Sequence, residues 1–155
     1  MTFEELKEAI KGKSFEEIRD LTEKYQNQDK LESHKLGEVY TPTEVVDFIN
    51  NSIKDLLKIH FNKDLEDDDV EIIDPFAGPG TFFNNLFDKI EPEALDKKID
   101  NKDIQAYEYN EDTTEIANIV LQNKLKEKGC KSIFEVQTTD TFKLYDNFSE
   151  KSLDI

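Results

Sequence analysis

Two short N-terminal segments carry apolar residues three or four positions apart, which predicts helices over roughly residues 3–10 and 15–25. Each segment opens on a hydroxyl residue with a glutamate three positions later, Thr2 with Glu5 and Ser14 with Glu17. In such a capping box the two side chains bond to each other's backbone N–H groups. We interpret residues 1–36 as a helical appendage that precedes a second unit, residues 37–155.

A longer helix is predicted to begin at Thr41-Pro42-Thr43-Glu44. Thr41 suits the capping position, Pro42 suits the first helical position, and Glu44 completes a third capping box. Apolar positions then continue on one helical face to about residue 61, and we expect this face to pack on a sheet. Its members are Val45, Ile49, Ile53, Leu56, Leu57 and His60.

The rest of the chain alternates between strand and helix patterns. Strands are predicted at 70–74, 104–109 and 132–137, helices at 81–90 and 111–128, and the beginning of a fourth strand at 153–155. Asn110 is expected to cap the second of these helices and Gly129 to end it. This order is typical of an α/β fold, here half of a Rossmann-like doubly wound parallel sheet with an N-terminal helical appendage.

Composition narrows the class of protein. The 155 residues are 36% apolar and include 11 Phe and 5 Tyr, which is enough for one modest domain. The single cysteine, Cys130, excludes an intramolecular disulfide, and the two histidines show no zinc-ligand spacing, so no metal site is predicted. Since no long apolar run is present, we expect neither a membrane span nor export, and a cytoplasmic location.

Charge limits what the chain can bind. The formal net charge is -16, from 20 basic and 36 acidic residues. A surface that binds DNA phosphates normally carries an excess of Lys and Arg. We therefore expect this chain by itself to bind nucleic acid poorly.

A glycine-rich turn follows the first predicted strand, in Asp74-Pro75-Phe76-Ala77-Gly78-Pro79-Gly80-Thr81. Open α/β sheets bind ligands at the carboxyl ends of their strands, and Gly78 and Gly80 would let a ligand approach the backbone there. A dinucleotide-binding turn would have a third glycine where this chain has Phe83, and a phosphate loop would have Gly-Lys-Ser/Thr. The charge of Asp74 leaves a cationic or neutral ligand, and S-adenosylmethionine, with its sulfonium and ammonium groups, fits that charge. The alternative is an ordinary strand-to-helix turn.

Two further segments end at the same predicted edge. Glu108 closes the second strand, where an acid can accept hydrogen bonds from both hydroxyls of a ribose. After the third strand, Asp140 could accept from an adenine amino group and Phe142 could stack on the adenine ring. Taken singly, Glu108 is also consistent with a partly solvated acid, and Phe142 with a core residue.

At these residues the sequence resembles the N6-adenine DNA methyltransferases, in particular the methylase region of large restriction-modification enzymes of Type I, IIG or ISP. Residues 40–48 resemble the family's helix-opening Thr-Pro motif, residues 74–82 its Asp-Pro-Phe-x-Gly-x-Gly cofactor motif, Glu108 its ribose-binding acid and residues 140–142 its Asp-x-Phe adenine-binding motif. The resemblance implies S-adenosylmethionine as the cofactor. It assigns as binding residues Tyr40, Thr41, Pro42, Asp74, Pro75, Phe76, Ala77, Gly78, Gly80, Thr81, Glu108, Asp140, Thr141 and Phe142.

The family's catalytic Asn/Asp-Pro-Pro-Tyr/Phe motif does not occur in these residues, whose prolines are at 42, 75, 79 and 92. We expect a chain cut just before its own active site, without catalytic residues, whose parent protein binds DNA through other parts. The first strand would then be an exposed edge that favours self-association. Two other functions stay open: a non-catalytic assembly module of a larger protein, and a fragment of a small-molecule or protein methyltransferase.

Overall fold

The computed structural model describes residues 1–28 and 41–144. The predicted boundary at residues 36–37, Tyr40 and the strand predicted at 153–155 lie outside the described residues. Within them the elements run in the order α1 (Phe3–Ile10), α2 (Phe15–Asn27), α3 (Thr43–Phe61), β1 (Ile72–Asp74), α4 (Thr81–Phe87), α5 (Pro92–Asp100), β2 (Ile104–Glu108), α6 (Glu111–Glu127), β3 (Gln137–Thr138) and a 3₁₀ turn (Thr141–Leu144).

The three strands form a parallel sheet in the order β1-β2-β3. Ile72 lies opposite Ile104, and Tyr107 lies opposite Gln137. The α/β class and the half Rossmann-like sheet are thereby confirmed. Because the strands are parallel, their carboxyl ends meet along one edge, which we call the carboxyl edge. No strand among the described residues pairs with the other side of β1.

The third strand is shorter than predicted. In the stretch before Gln137, backbone N–H groups bond to side chains instead of to β2. The N–H of Val136 donates to Asn118 Oδ1 (2.7 Å), and that of Ser132 donates to Asp96 Oδ1 (2.9 Å). The alternating pattern at 132–137 therefore reflects the burial of alternate side chains, not a strand over its whole length.

One helix was predicted too long, and the helix after it was missed. Helix α4 ends at Phe87, where the N–H of Lys89 donates to the Leu86 carbonyl in a tighter turn (2.9 Å). Helix α5 follows, with Pro92 in its first turn and Leu95 and Ile99 buried. Proline at a helix start and apolar residues four positions apart are the signal that could have predicted α5.

Helix α3 differs from the prediction in its start and in its buried face. Pro42 is its cap residue, and no side chain makes a capping bond, so the capping role predicted for Thr41 and Glu44 is wrong. The Pro42 carbonyl instead accepts from the N–H groups of Val45 and Val46 (3.0 and 3.1 Å). With its φ fixed and ψ extended, Pro42 lies just outside the helix, not at the first helical position.

The buried face of α3 is set by a polar anchor. The Asn50 amide donates to the Phe82 carbonyl and to Asn85 Oδ1 on α4 (both 3.0 Å). Asn50 and Val46 are buried, so α3 packs on α4 and not on the sheet as predicted. The predicted apolar face stays largely exposed, at Val45, Ile49, Ile53 and Leu56.

The N-terminal helices join the same core as the sheet. Both predicted capping boxes are present, at Thr2 with Glu5 and at Ser14 with Glu17. Helix α1 packs on α6, where Lys7 Nζ lies 2.5 Å from Glu115 Oε2. The core centres on the rings of Phe83, Phe87 and Phe134, with Leu6, Ile10 and Ile18 from α1 and α2 in the same cluster.

Candidate functional site

The turn between β1 and α4 is tied to the end of β2. The N–H of Ala77 donates to the Tyr107 carbonyl (2.9 Å), and the N–H of Gly80 donates to the Ala77 carbonyl (3.0 Å). Gly78 and Gly80 have φ of +53° and +87°, a region that L side chains rarely adopt. The glycines therefore make a compact turn possible at the carboxyl edge.

The two glycines face different surroundings. A Cβ on Gly80 would lie 3.2 Å from Cγ of Leu121, so Gly80 lets α6 pack closely against the turn. A Cβ on Gly78 would have no atom within 4 Å, so its backbone borders open space. Ala77 and Thr81 are buried. Ligand contact is thus supported by the geometry at Gly78, while at Gly80, Ala77 and Thr81 it stays a prediction.

Glu108 holds the turn from the neighbouring strand. Its Oε2 accepts the Gly78 N–H (2.8 Å) and its Oε1 accepts the Asn110 N–H (3.1 Å). An ionised carboxylate has about four lone-pair sites, so roughly two of them remain for a ligand. The half-buried Glu108 can hold the turn and accept further hydrogen bonds at the same time.

Asp74 is a second carboxylate at this edge. Its Oδ1 accepts the Phe76 N–H (3.1 Å). Burial, and to a lesser extent the negative charge of Glu108, raise the pKa of Asp74 above its ordinary value. A carboxylate whose ionised form is disfavoured in this way would stabilise a cationic ligand beside it.

The end of β3 completes the edge. The N–H of Phe142 donates to Asp140 Oδ1 (3.0 Å), and Thr141 Oγ1 donates to the Pro75 carbonyl (2.5 Å). The ring of Phe142 contacts that of Phe76, with centroids 5.8 Å apart. The segment after β3 is thus joined to the turn after β1, across the end of β2.

The same local arrangement occurs at the ends of β1 and β2 and just beyond the end of β3. In each, a carboxylate accepts the N–H two residues further on: Asp74 from Phe76, Glu108 from Asn110 and Asp140 from Phe142. In the register of the sheet Asp74 lies opposite Ala106 and Glu108 lies opposite Thr138, so each acid is displaced from the next by one strand and two residues. Within residues 1–28 and 41–144 no group of three potential metal ligands converges, and no helix is long and apolar enough to cross a membrane.

For the Thr-Pro segment, the contacts that can be described are those of the following helix α3 with α4. Thr41 and Pro42 precede α3, which reaches α4 through Asn50 and through Asp47, whose Oδ1 lies 2.8 Å from Lys89 Nζ. Tyr40 lies outside the described residues. The part that Tyr40, Thr41 and Pro42 play in ligand binding stays a prediction.

Sequence reasoning missed two features of the site. It gave Asn110 only a capping role, which is confirmed by its bond from the Thr113 N–H (2.9 Å), but Asn110 also fixes the Glu108 carboxylate. It also treated Phe76 and Phe142 separately. The repeated Asp-x-Phe at 74–76 and 140–142 was the signal that two equivalent turns stand side by side.

With this geometry in view, the class of protein can be stated. The family model for N-6 DNA methylase matches residues 18–155, most of the chain. The chain belongs to this family, as the sequence resemblance predicted. No curated protein is a significant match.

Solved structures agree with the family. The chain is 32% identical to the DrdV–DNA complex (TM-score 0.62, 68% of this chain and 11% of that one). It is 34% identical to a nuclease-deletion mutant of the Type ISP restriction-modification enzyme LlaGI in complex with a DNA substrate mimic (TM-score 0.61, 69% and 10%). The ATP-dependent Type ISP restriction-modification enzyme LlaBIII bound to DNA is 26% identical (TM-score 0.53, 77% and 10%). The chain therefore spans about a tenth of the length of these structures.

Proposed function

We propose that the chain is the S-adenosylmethionine-binding portion of a DNA adenine-N6 methyltransferase of a restriction-modification system, acting in the cytoplasm. One observation carries the proposal: carboxylates stand at the ends of β1 and β2 and two residues beyond β3, beside a turn whose Gly78 backbone borders open space. This is the edge at which open α/β sheets take their ligands. Membership in the N-6 DNA methylase family supports the choice of ligand.

The donor set suits this cofactor better than a nucleotide phosphate. Glu108 retains acceptor sites for the two ribose hydroxyls, and Asp140 retains acceptor sites for the adenine amino group. The acid pair Asp74 and Glu108 would repel a pyrophosphate but stabilise ammonium and sulfonium groups. When bound, the cofactor supplies an electrophilic methyl group, and the residues of this chain bind and orient it.

Methyl transfer itself is assigned to other parts of a parent protein. The family's Asn/Asp-Pro-Pro-Tyr/Phe motif does not occur among the 155 residues, and none of them is proposed as catalytic. The net charge of -16 argues that other parts also contact the DNA. The solved enzymes that the chain resembles are DNA complexes, which supports this division.

Isothermal calorimetry with S-adenosylhomocysteine tests the proposal. The chain should bind this ligand, and Glu108→Ala should weaken binding by about 1.5–3 kcal/mol because charged hydrogen bonds are lost. Glu135→Ala is the matched control, since it removes an equal charge at an exposed position before β3. Unchanged affinity in Glu108→Ala would remove Glu108 from the site, and no binding at all would contradict the proposal.

The same protein preparation tests whether methyl transfer and DNA binding belong to other parts of a parent protein. Incubated with tritiated S-adenosylmethionine and adenine-rich duplex DNA, the chain alone should give no methylated adenine. A gel-shift titration at low salt should give little retention, since electrostatic attraction to phosphates is strongest there. Methylated product, or tight and salt-sensitive DNA binding, would overturn this assignment.

A second candidate function, a non-catalytic assembly module, is favoured by the open side of β1. The free strand edge and the exposed apolar residues of α3 form a surface of the kind that another polypeptide covers. A third candidate, a fragment of a small-molecule or protein methyltransferase, is disfavoured by the family match. An assembly module would not bind S-adenosylhomocysteine, so the same calorimetry separates it from the leading proposal.

A further inference from the structure

We propose that the exposed apolar side of helix α3 is an interface for a second copy of this chain, with the two α3 helices antiparallel about a two-fold axis near Ser52. The inference goes beyond the proposed cofactor site and does not depend on it. Most of the large apolar side chains that are exposed in residues 1–28 and 41–144 lie on α3. Such a concentration of apolar surface on one helix marks an interaction site.

The exposed side chains form a continuous stripe along the helix, which we call the α3 face. Its positions follow one another at alternating steps of four and three residues: Val45, Ile49, Ser52, Leu56 and Ile59. The four apolar members are between 36% and 73% exposed. A seven-residue repeat of this kind is the pattern with which one α-helix packs along another. From Val45 to Ile59 it extends for roughly 21 Å, so the pattern indicates a helical partner of about four turns.

The α3 face borders the open side of the sheet. Ile49 and Leu56 lie four and three positions from Ile53, so they adjoin it on the helix surface. Ile53 in turn lines the cavity between α3 and the free edge of β1, whereas Asn50 is buried against α4. The α3 face and the free strand edge are therefore two borders of one open region, and a single partner can cover both.

The symmetry and the charges of α3 identify a second copy as that partner. Val45 and Ile59 lie seven residues on either side of Ser52, so an antiparallel copy centred there places Val45 of each helix opposite Ile59 of the other. The first turn carries the acid Glu44 and the last turn the base Lys58. In an antiparallel pair the acidic start of each helix lies beside the basic end of the other, and the helix macrodipoles are aligned favourably.

Ser52 is suited to a position on the axis. Its hydroxyl donates to the Phe48 carbonyl within the helix (2.7 Å), and its small side chain lets two helices approach closely. The net charge of -16 on each copy opposes association at long range, but no member of the α3 face is charged. Salt screens the repulsion and leaves the apolar contact, so it should favour the dimer, whereas it would weaken binding of a basic partner.

Sedimentation equilibrium tests the interface. The unaltered chain should dimerise with a midpoint on the order of 0.1 mM, because one helix face is smaller than a standard interface. Raising NaCl from about 0.1 to about 0.5 M should tighten the dimer at least about threefold. Leu56→Gln should weaken it at least about tenfold, since each copy loses buried apolar surface. Ile133→Gln is the matched control at a 75% exposed position before β3 and should leave dimerisation unchanged.

Disulfide cross-linking tests the orientation, in a chain whose only cysteine is removed by Cys130→Ser. Ser52→Cys should form an intermolecular disulfide, because the two positions meet at the axis. Lys54→Cys, exposed on the polar side of the same helix, is the control and should not. A mixture of Val45→Cys and Ile59→Cys chains should form the mixed dimer, while neither alone should cross-link.

The outcomes that overturn the proposal are distinct. A clean monomer at about 1 mM protein in high salt would show that a second copy does not cover the α3 face. Unchanged dimerisation in Leu56→Gln would assign any dimer to the strand edge alone, even where Ile73→Pro abolishes it. Self-cross-linking of Val45→Cys would indicate parallel helices and contradict the two-fold arrangement. Since none of these experiments involves S-adenosylhomocysteine, the cofactor proposal stands or falls separately.

Discussion

Strand β1 divides the molecule into a closed side and an open side. On the closed side, Phe87 and Phe134 pack ring against ring, and Leu121 fills the space beside Gly80. On the open side, an apolar cavity of about 570 Å³ lies between α3 and the free edge of β1. Both sides carry apolar residues, so apolar character alone does not distinguish a packed core from an exposed apolar surface.

The same contrast separates two candidate places for a ligand, the cavity and the carboxyl edge. The cavity is lined mainly by apolar side chains of α3, β1 and α4, such as Ile53, Leu57 and Phe82. The carboxyl edge has the charged acceptors and the exposed backbone of Gly78. Asp74 and Phe76 border both regions. The proposed cofactor site is therefore the carboxyl edge, and we interpret the cavity as a surface that another polypeptide covers.

The largest expected effect compares one phenylalanine from each side. Phe87 is fully buried, and Phe87→Ala should lower the free energy of unfolding by about 3–5 kcal/mol through lost burial and a cavity. Phe48 is 71% exposed, and Phe48→Ala should change the free energy of unfolding by less than about 0.5 kcal/mol. Urea unfolding followed by circular dichroism measures both. Equal losses would mean that the open side is covered in solution.

The closed side was largely predictable from sequence, and the open side was not. Capping boxes and glycine stops act locally, so the starts of α1 and α2 and the end of α6 at Gly129 followed from single motifs. The buried face of α3 depends on where Asn50 finds acceptors on α4, which is a tertiary property. Periodicity could only mark the apolar stripe, and that stripe is the exposed one.

The candidate site was likewise predictable from the sequence only in part. The identities of Asp74, Glu108 and Asp140 came from motifs, because strand ends and acids are both visible in the sequence. Their mutual geometry was not predictable, since it arises from parallel pairing between residues far apart in the chain. The hydrogen bond between Gly78 and Glu108 is one result of that pairing.

The next largest effect concerns the two glycines of the turn. Gly80→Ala should destabilise the fold by about 2–3 kcal/mol, because a left-handed φ and a contact with Leu121 both oppose the methyl group. Gly78→Ala has no such contact and should cost about 1 kcal/mol. Its methyl group would instead intrude on the space left for ligand. Thermal unfolding with and without S-adenosylhomocysteine checks both, and a reversed order of stabilities would contradict the packing assigned to Gly80.

Self-association is a further test of the open side. The Ile72 N–H donates to the Asp103 carbonyl (2.7 Å), so Ile73, next along the strand, turns its backbone to the free edge. We expect concentration-dependent dimers in sedimentation velocity, and we expect Ile73→Pro to reduce them because it removes an edge donor. A clean monomer at high concentration, with β1 amides unprotected in hydrogen exchange, would argue against this edge as an interface.

A smaller effect compares two aspartates with opposite pKa shifts. Burial raises the pKa of Asp74, so its contribution to stability is present at low pH and lost as pH rises through that raised pKa. The hydrogen bond from Lys89 lowers the pKa of Asp47, so its contribution is present at neutral pH and lost as pH falls. As pH rises from about 4 to 7, Asp74→Asn should therefore gain stability relative to the unaltered chain, whereas the loss in Asp47→Asn should be constant over that range and shrink only as pH falls below about 4. Urea midpoints over both ranges give the comparison, and an Asp74→Asn curve parallel to that of the unaltered chain between about pH 4 and 7 would refute it.

Hydrogen exchange with and without S-adenosylhomocysteine tests most directly whether the carboxyl edge, and not the cavity, is the cofactor site. We predict slower exchange in the peptides that contain Gly78, Asn110 and Phe142, with the exposed face of α3 unchanged. Glu108→Ala should abolish this protection at the same ligand concentration. Protection confined to α3 and the β1 side of the cavity, or no protection at any of the three strand ends, would contradict the account.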